Sequence, residues 1–220
     1  MALRKEEITR KLLHLFALVM PVGIFYFPKW SLPSYLPLAI LSFVLVGSMI
    51  IESLRFRNPA VQKLFFQFFG SMLREEESKK TTGSTYVIGA AVLCSILFWN
   101  TPHISFMVLS MFILGDAVAA IVGLSIGKIK IGKKSLEGSM ACFLLCMTLF
   151  YAVFPLLPGI LQPWGGKVPM IIAVATSLSI TIFELIPLRI TPKIVINDNL
   201  AVPVISGFVM LVLSKMVFGV

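Results

Sequence analysis

The feature that most constrains this chain is a repeated one. Seven apolar runs, at about Leu12 to Phe27, Tyr35 to Ile51, Tyr86 to Trp99, Ile104 to Ile126, Leu136 to Leu157, Val168 to Pro187 and Leu200 to Phe218, alternate with segments that carry most of the charge. Crossing about 30 Å of hydrocarbon takes roughly 20 mainly apolar residues, and a helix satisfies its own backbone hydrogen bonds within one such segment. Seven spans would use about 140 positions, most of the 220 in the chain. The expected fold is therefore all-α, a polytopic transmembrane helical bundle of about seven spans. It reads as a single integral-membrane domain over residues 1–220, with no repeat, linker or second domain.

Composition supports a lipid solvent: 58% of residues are hydrophobic and 13% charged, with a mean hydropathy of +0.96. A net charge of +9 would suit a nucleic-acid binder only on a water-soluble fold with base-reading elements beside a basic face. No nucleic-acid partner is expected, because the basic residues lie in alternate loops. The N-terminal segment holds Arg4, Lys5, Arg10 and Lys11, and the second loop Arg55, Arg57, Lys63, Arg74, Lys79 and Lys80. The fourth holds Lys128, Lys130, Lys133 and Lys134, and the sixth Arg189 and Lys193. These are 16 of the 19 basic residues, so the positive-inside rule predicts a cytoplasmic N-terminus and, for an odd span count, a C-terminus across the membrane. The expected location is an integral membrane, the cell membrane in a prokaryote.

The first run follows basic residues, as a secretory signal does, but it continues through bulky residues without a small-residue cleavage site. It reads as an uncleaved span. Between the second and third runs, Val61, Leu64, Phe65, Phe68 and Met72 recur at helical spacing opposite Gln62, Lys63 and Gln67, which predicts an amphipathic helix at the headgroups. A re-entrant or tilted continuation of the second span is the alternative. Cys94, Cys142 and Cys146 sit in apolar runs without C-x-x-C spacing and read as buried hydrophobes.

The acids carry more information. Asp and Glu contribute little to the orientation rule, yet in this topology all ten lie in cytoplasmic segments or cytoplasmic halves of spans. A working site on that face accounts for the asymmetry. Asp116 lies inside the fourth run, where a charge costs roughly 2.5 to 3.5 kcal/mol to insert. Gly115, Ala119, Ala120, Gly123 and Gly127 around it permit close helix packing. The plainer reading of Asp116 is an incidental acid in that packing stripe, paired with a lysine. Glu184 is a second acid inside an apolar run.

Between the fourth and fifth runs, Gly127-Lys-Ile-Lys-Ile-Gly132-Lys133-Lys134-Ser135-Leu-Glu137-Gly138 nearly spells a P-loop. It departs where Lys134 stands in place of Ser or Thr, and a span rather than a strand precedes it. Flexible backbone, two ammonium groups and a helix start at Ser135 would still hold phosphate oxygens. A positive-inside loop with Ser135 as N-cap fits equally. Thr82-Gly83-Ser84-Thr85 offers a second hydroxyl-rich helix start, as cap or phosphate site, and Asn197-Asp198-Asn199 a third, with an Asx cap as its simplest reading. Glu7, Arg10, Lys11 and His14 share one helical face, either as site residues or as ion-pair stitching.

In this order, Glu7-x-x-Arg10-Lys11-x-x-His14, Thr82-Gly83-Ser84, Gly115-Asp116-x-x-Ala119-x-x-x-Gly123-x-x-x-Gly127, Lys134-Ser135-x-Glu137-Gly138, and Glu184 followed by Asp198-Asn199 resemble the diacylglycerol/polyprenol kinase family. That family includes dolichol kinase, phytol kinase and CTP-dependent diacylglycerol kinase, and the likeness spans the chain almost end to end. It is distantly similar to membrane phosphatidate cytidylyltransferases. The resemblance implies transfer of the γ-phosphoryl of CTP to a membrane lipid alcohol, a polyprenol or dolichol, a phytol-like alcohol or diacylglycerol, with Mg²⁺.

On that reading Asp116 and Asp198 hold the metal, and Asp116 or Glu137 accepts the alcohol proton. Thr82, Gly83, Ser84, Gly127, Lys133, Lys134, Ser135 and Asn199 bind nucleotide and phosphate, with Arg10, Lys11, His14, Gly123, Gly138 and Glu184 in support. A CTP:phosphatidate cytidylyltransferase would use the same triphosphate site but release pyrophosphate. A small transporter or proton relay would also use intramembrane acids, though no inverted repeat is visible.

Overall fold

A computed structural model of the chain describes residues 14–70, 80–191 and 194–219. Arg10 and Lys11, with Glu7, lie outside the described residues. Among the described residues eight α-helices follow one another: α1 (Val19–Tyr26), α2 (Leu36–Arg57), α3 (Pro59–Phe69), α4 (Gly83–Leu97), α5 (Pro102–Ser125), α6 (Leu136–Thr148), α7 (Met170–Leu185) and α8 (Asp198–Phe218). Four helical stretches among the described residues are long and apolar enough to cross a membrane: α2, α5, α6 with its continuation to Leu156, and α8. Three shorter apolar ones, His14–Tyr26, Gly83–Leu97 and Met170–Leu185, stand beside them.

Proline punctuates the starts. Pro37, Pro59 and Pro102 occupy first-turn positions, where their missing N–H costs nothing and their fixed φ suits a helix. Asn58 separates α2 from α3 in an extended conformation, and its side chain accepts a hydrogen bond from the Ala60 N–H. The amphipathic segment is therefore a distinct helix, not a tilted end of the second run. That run itself continues helically as far as Arg57, six residues beyond its apolar stretch, which carries Glu52 and Arg55 into α2.

The helix α5 is the axis of the bundle. Its apolar window is 61% buried, against 17% for α2, and α1, α4, α6, α7 and α8 all pack on it. Phe43, Leu144, Met170 and Val212 project outward as exposed apolar side chains, as expected where lipid is the solvent. The α5–α6 contact is close because the facing residues are small. A Cβ at Gly115 would lie 2.7 Å from Cys142 Sγ, and one at Gly123 would lie 2.7 Å from Ser135 Oγ. A Cβ at Gly138 would overlap the Ala119 carbonyl. These glycines replace side-chain volume with backbone approach, the usual device of membrane helix pairs.

Helix is not the whole of it. Two small antiparallel hairpins depart from the all-α expectation: β1 (Lys130–Ile131) with β2 (Lys134–Ser135), and β3 (Arg189–Thr191) with β4 (Ile194–Val195). In the first, Ile131 pairs with Lys134 across the two-residue turn Gly132-Lys133. Gly132 there has φ +61°, a conformation that a glycine adopts without strain. The segment read from sequence as a flexible phosphate loop is thus an ordered hairpin.

Candidate functional site

At one end of the bundle α2, α5 and α7 finish and α4, α6 and α8 begin. The hydrogen bonds between these ends define a connected polar site. Lys134, at the start of β2, places Nζ 2.8 Å from Glu184 Oε1 and 2.9 Å from Asp198 Oδ2, and it also donates to the Glu184 carbonyl. One ammonium thus joins the α5–α6 hairpin to the end of α7 and the start of α8. Burial alone would lower the Lys134 pKa. The Glu184 and Asp198 carboxylates outweigh it and hold the group above its ordinary value, so it is charged at neutral pH.

Asp116 lies in α5 within electrostatic reach of Glu184, and its Oδ2 is 3.6 Å from His14 Nε2. His14 therefore meets the acid from the N-terminal segment, across about a hundred residues of sequence. Of the candidate site residues, Asp116, His14, Lys134, Glu184, Asp198 and Asn199 come together here. Asn199 Nδ2 donates to the Gly83 carbonyl at 3.0 Å, which ties the start of α8 to that of α4. Lys133 is exposed at the hairpin turn.

Several of the candidate residues have a structural role within their own segment. The Ser135 hydroxyl accepts from the Gly138 N–H at 3.1 Å as the N-cap of α6, and the residue is only 4% exposed, packed against Gly123 and Gly127. This is the capping alternative, and it leaves that hydroxyl turned away from solvent. Gly127 likewise serves packing, since a Cβ there would overlap the Gly123 carbonyl and lie 2.6 Å from Ser135 Oγ. Glu137 accepts from the Lys128 N–H at 2.9 Å and the Ile129 N–H at 3.1 Å. Its carboxylate clasps the loop that leads into the hairpin, a use that competes with a role as general base. Lys130 Nζ fastens the same loop to the Gly123 carbonyl at 3.1 Å.

Thr82 does not cap α4. Its Oγ1 and its N–H donate to Glu52 Oε1 at 2.8 and 2.9 Å, and Ser84 Oγ lies 2.9 Å from the same hydroxyl. Glu52 is paired in turn with Arg55 at 2.5 Å. The sequence reading counted these two only as an acid near the site face and a loop charge. Their signal was an acid and an arginine three residues apart, at the end of an apolar run.

Among the described residues no group of three or more His, Cys, Asp or Glu side chains is placed to hold a metal ion by itself. Magnesium commonly takes one or two protein carboxylates and completes its shell with substrate phosphate oxygens and water. Asp116 and Asp198, both within electrostatic reach of Glu184, are two carboxylates of the kind such a shell uses. The second Glu184 oxygen, Oε2, is a buried acceptor without a hydrogen-bond partner, a further oxygen in the same region.

These features define a class: a helical membrane protein with an ionisable site, rich in helix starts, at one end of its bundle. No family model matches the chain, and no solved structure matches it. Curated relatives do. It is 26% identical over 202 residues to an uncharacterised protein of Rickettsia prowazekii (strain Madrid E), covering 90% of this chain and 89% of that one. It is 27% identical over 218 residues to a probable chloroplastic phytol kinase of Triticum aestivum, covering 93% and 67%. It is 27% identical over 222 residues to the CTP-dependent diacylglycerol kinase 1 of Schizosaccharomyces pombe (strain 972 / ATCC 24843), covering 93% and 92%. Relatives of these names, matched over most of the chain, support the diacylglycerol/polyprenol kinase family and a membrane lipid kinase.

Proposed function

We propose that this protein transfers the γ-phosphoryl group of CTP to the hydroxyl of a membrane lipid alcohol, a polyprenol or dolichol, a phytol-like alcohol or diacylglycerol, at the cytoplasmic face. The observation that carries the proposal is the linked set Asn199–Gly83, Lys134–Asp198 and Lys134–Glu184, which joins three helix starts to Glu184, an electrostatic neighbour of Asp116. Helix starts present N–H groups and a partial positive charge to anions. Phosphoryl transfer needs in-line placement and charge neutralisation more than covalent help from the protein.

In this mechanism the α4 start, Thr82-Gly83-Ser84, and the ammonium groups of Lys133 and Lys134 receive the triphosphate. Lys134 is already fixed by two carboxylates, so it holds its position before nucleotide arrives. Asp116 and Asp198 would hold Mg²⁺, which would neutralise phosphate charge when bound. Asp116 also accepts the proton of the alcohol, with His14 orienting its carboxylate, while Glu137 keeps the hairpin in place. The lipid tail remains in hydrocarbon and only its hydroxyl reaches the end of the bundle. A cytosolic face follows from the positive-inside distribution of the same loops.

The test is an assay of the purified protein with labelled CTP and Mg²⁺ against a panel of polyprenol, dolichol, phytol and diacylglycerol. The expected products are CDP and one lipid monophosphate. Release of pyrophosphate with a phosphatidate acceptor would replace the kinase reading with cytidylyl transfer, and no turnover or nucleotide binding would remove both.

A further inference from the structure

We propose that Glu52 and Arg55 are positioning residues that couple the seating of the amphipathic helix α3 on the membrane surface to the geometry of the α4 start. The identity of what binds at that start rests on the function proposed above, whereas the coupling itself does not.

The pair is unusual for its location. The helix α2 is the most exposed of the four long helices, yet near its end Arg55 is 1% and Glu52 6% exposed. A buried ion pair contributes little net stability once desolvation is counted, so its geometry is the more informative property. Glu52 Oε1 accepts from the Thr82 N–H at 2.9 Å, from Thr82 Oγ1 at 2.8 Å and from Thr85 Oγ1 at 3.4 Å. Glu52 Oε2 accepts from Arg55 Nε at 2.5 Å, and Arg55 Nη2 donates to the Lys80 carbonyl at 2.5 Å. The two side chains therefore hold residues 80 to 85 from both ends, including the backbone that leads into α4.

The guanidinium is covered by aromatic rings. Phe56 lies 4.4 Å and Phe65 4.8 Å from it, measured to the ring centroids. Phe65 belongs to α3, and its ring packs on Phe69 of the same helix. One helical position before and three after Phe65, Leu64 and Phe68 point away from the protein, 55% and 67% exposed. The helix thus has two apolar sides, one closing over Arg55 and one left for lipid. A membrane-seated α3 keeps Phe65 on the guanidinium and water off it. A lifted α3 lets water reach Arg55, weakens its hold on Glu52 and frees Thr82. In this way the α4 start is well formed only when the helix lies on a lipid surface.

The experiment uses the full chain in lipid nanodiscs, reading hydrogen exchange over residues 80–85 without substrate and, in parallel turnover assays, KM for CTP and for the lipid alcohol. Phe65→Ala should raise exchange at the Thr82 amide about tenfold or more. The same variant should raise KM for CTP by about tenfold, with kcat and the lipid KM within about twofold. Phe65→Trp, which restores a ring over the guanidinium, should return both values toward wild type. Leu64→Glu with Phe68→Glu, which alters only the outward side of α3, should reproduce the Phe65→Ala signature. Unchanged exchange over residues 80–85 in both Phe65→Ala and the double variant overturns the coupling, as does a general loss of protection that Phe65→Trp fails to rescue. Raised local exchange with an unchanged KM for CTP upholds the coupling and instead overturns nucleotide binding at the α4 start.

Discussion

The start of α6 is closed by its own cap, whereas the start of α4 carries no side-chain cap. At α6 the Ser135 hydroxyl caps the Gly138 amide, and the residue is sealed between Gly123 and Gly127. At α4 the Thr82 hydroxyl makes no capping bond and donates away from the helix to Glu52. A capped start has satisfied part of its electrostatic demand and works as an anchor. A start without its own side-chain cap relies on other partners for its first-turn N–H groups. On the function proposed above, the two phosphate-like motifs divide the work: the α6 start fixes the hairpin that presents Lys134, and the α4 start receives the anion.

The division has consequences that measurement can break, of which the largest concerns Asp116. Asp116→Asn keeps shape and removes charge, so phosphoryl transfer should fall by about a thousandfold or more. Its melting temperature in detergent without ligand should stay near wild type, as expected of a carboxylate that serves chemistry rather than packing. A purely structural Asp116 would give the reverse, a destabilised protein whose activity follows its folded fraction.

Next in size is the closed start. Gly127→Ala introduces a Cβ into the Gly123 carbonyl and the Ser135 hydroxyl, and overpacking of that kind costs about 1 to 3 kcal/mol. Thermal unfolding in the same detergent should show the loss. Nucleotide affinity should fall only as far as the hairpin carrying Lys134 is displaced. An unaltered melting temperature would mean that α5 and α6 do not pack as tightly as described.

The smallest effects separate the two starts directly. Ser135→Ala should cost about 1 kcal/mol of stability, the usual value of a lost N-cap, with Mg-CTP affinity within about twofold in calorimetry. Thr82→Val should instead weaken Mg-CTP binding by about tenfold, because it removes a Glu52 contact that aligns the α4 start. If Ser135→Ala weakens nucleotide binding more than Thr82→Val does, the division between anchor and receiver is reversed.

Much of this was legible along the chain. Hydropathy is local and nearly additive, so the apolar runs announced the helices, and the clustering of acids and lysines announced which ends of the helices gather ionisable side chains. Residues such as Asp116 and Glu184 were conspicuous because hydrocarbon penalises them wherever they sit. The third apolar run could be found, but its helix start could not be told from that of the fifth, since Thr82 and Ser135 are both hydroxyls before helices and beside basic residues.

What only the tertiary structure decided was pairing. Lys134 meets Glu184 and Asp198 across 50 and 64 residues, and Glu52 meets Thr82 across 30. Such partners depend on which helix ends are brought together, and that depends on close approaches such as Gly123 to Ser135 and Gly138 to Ala119. A hydroxyl, a carboxylate or an ammonium has the same local sequence signal whichever partner it finds. Its role follows from the direction of its hydrogen bonds, and those directions exist only after the bundle has packed.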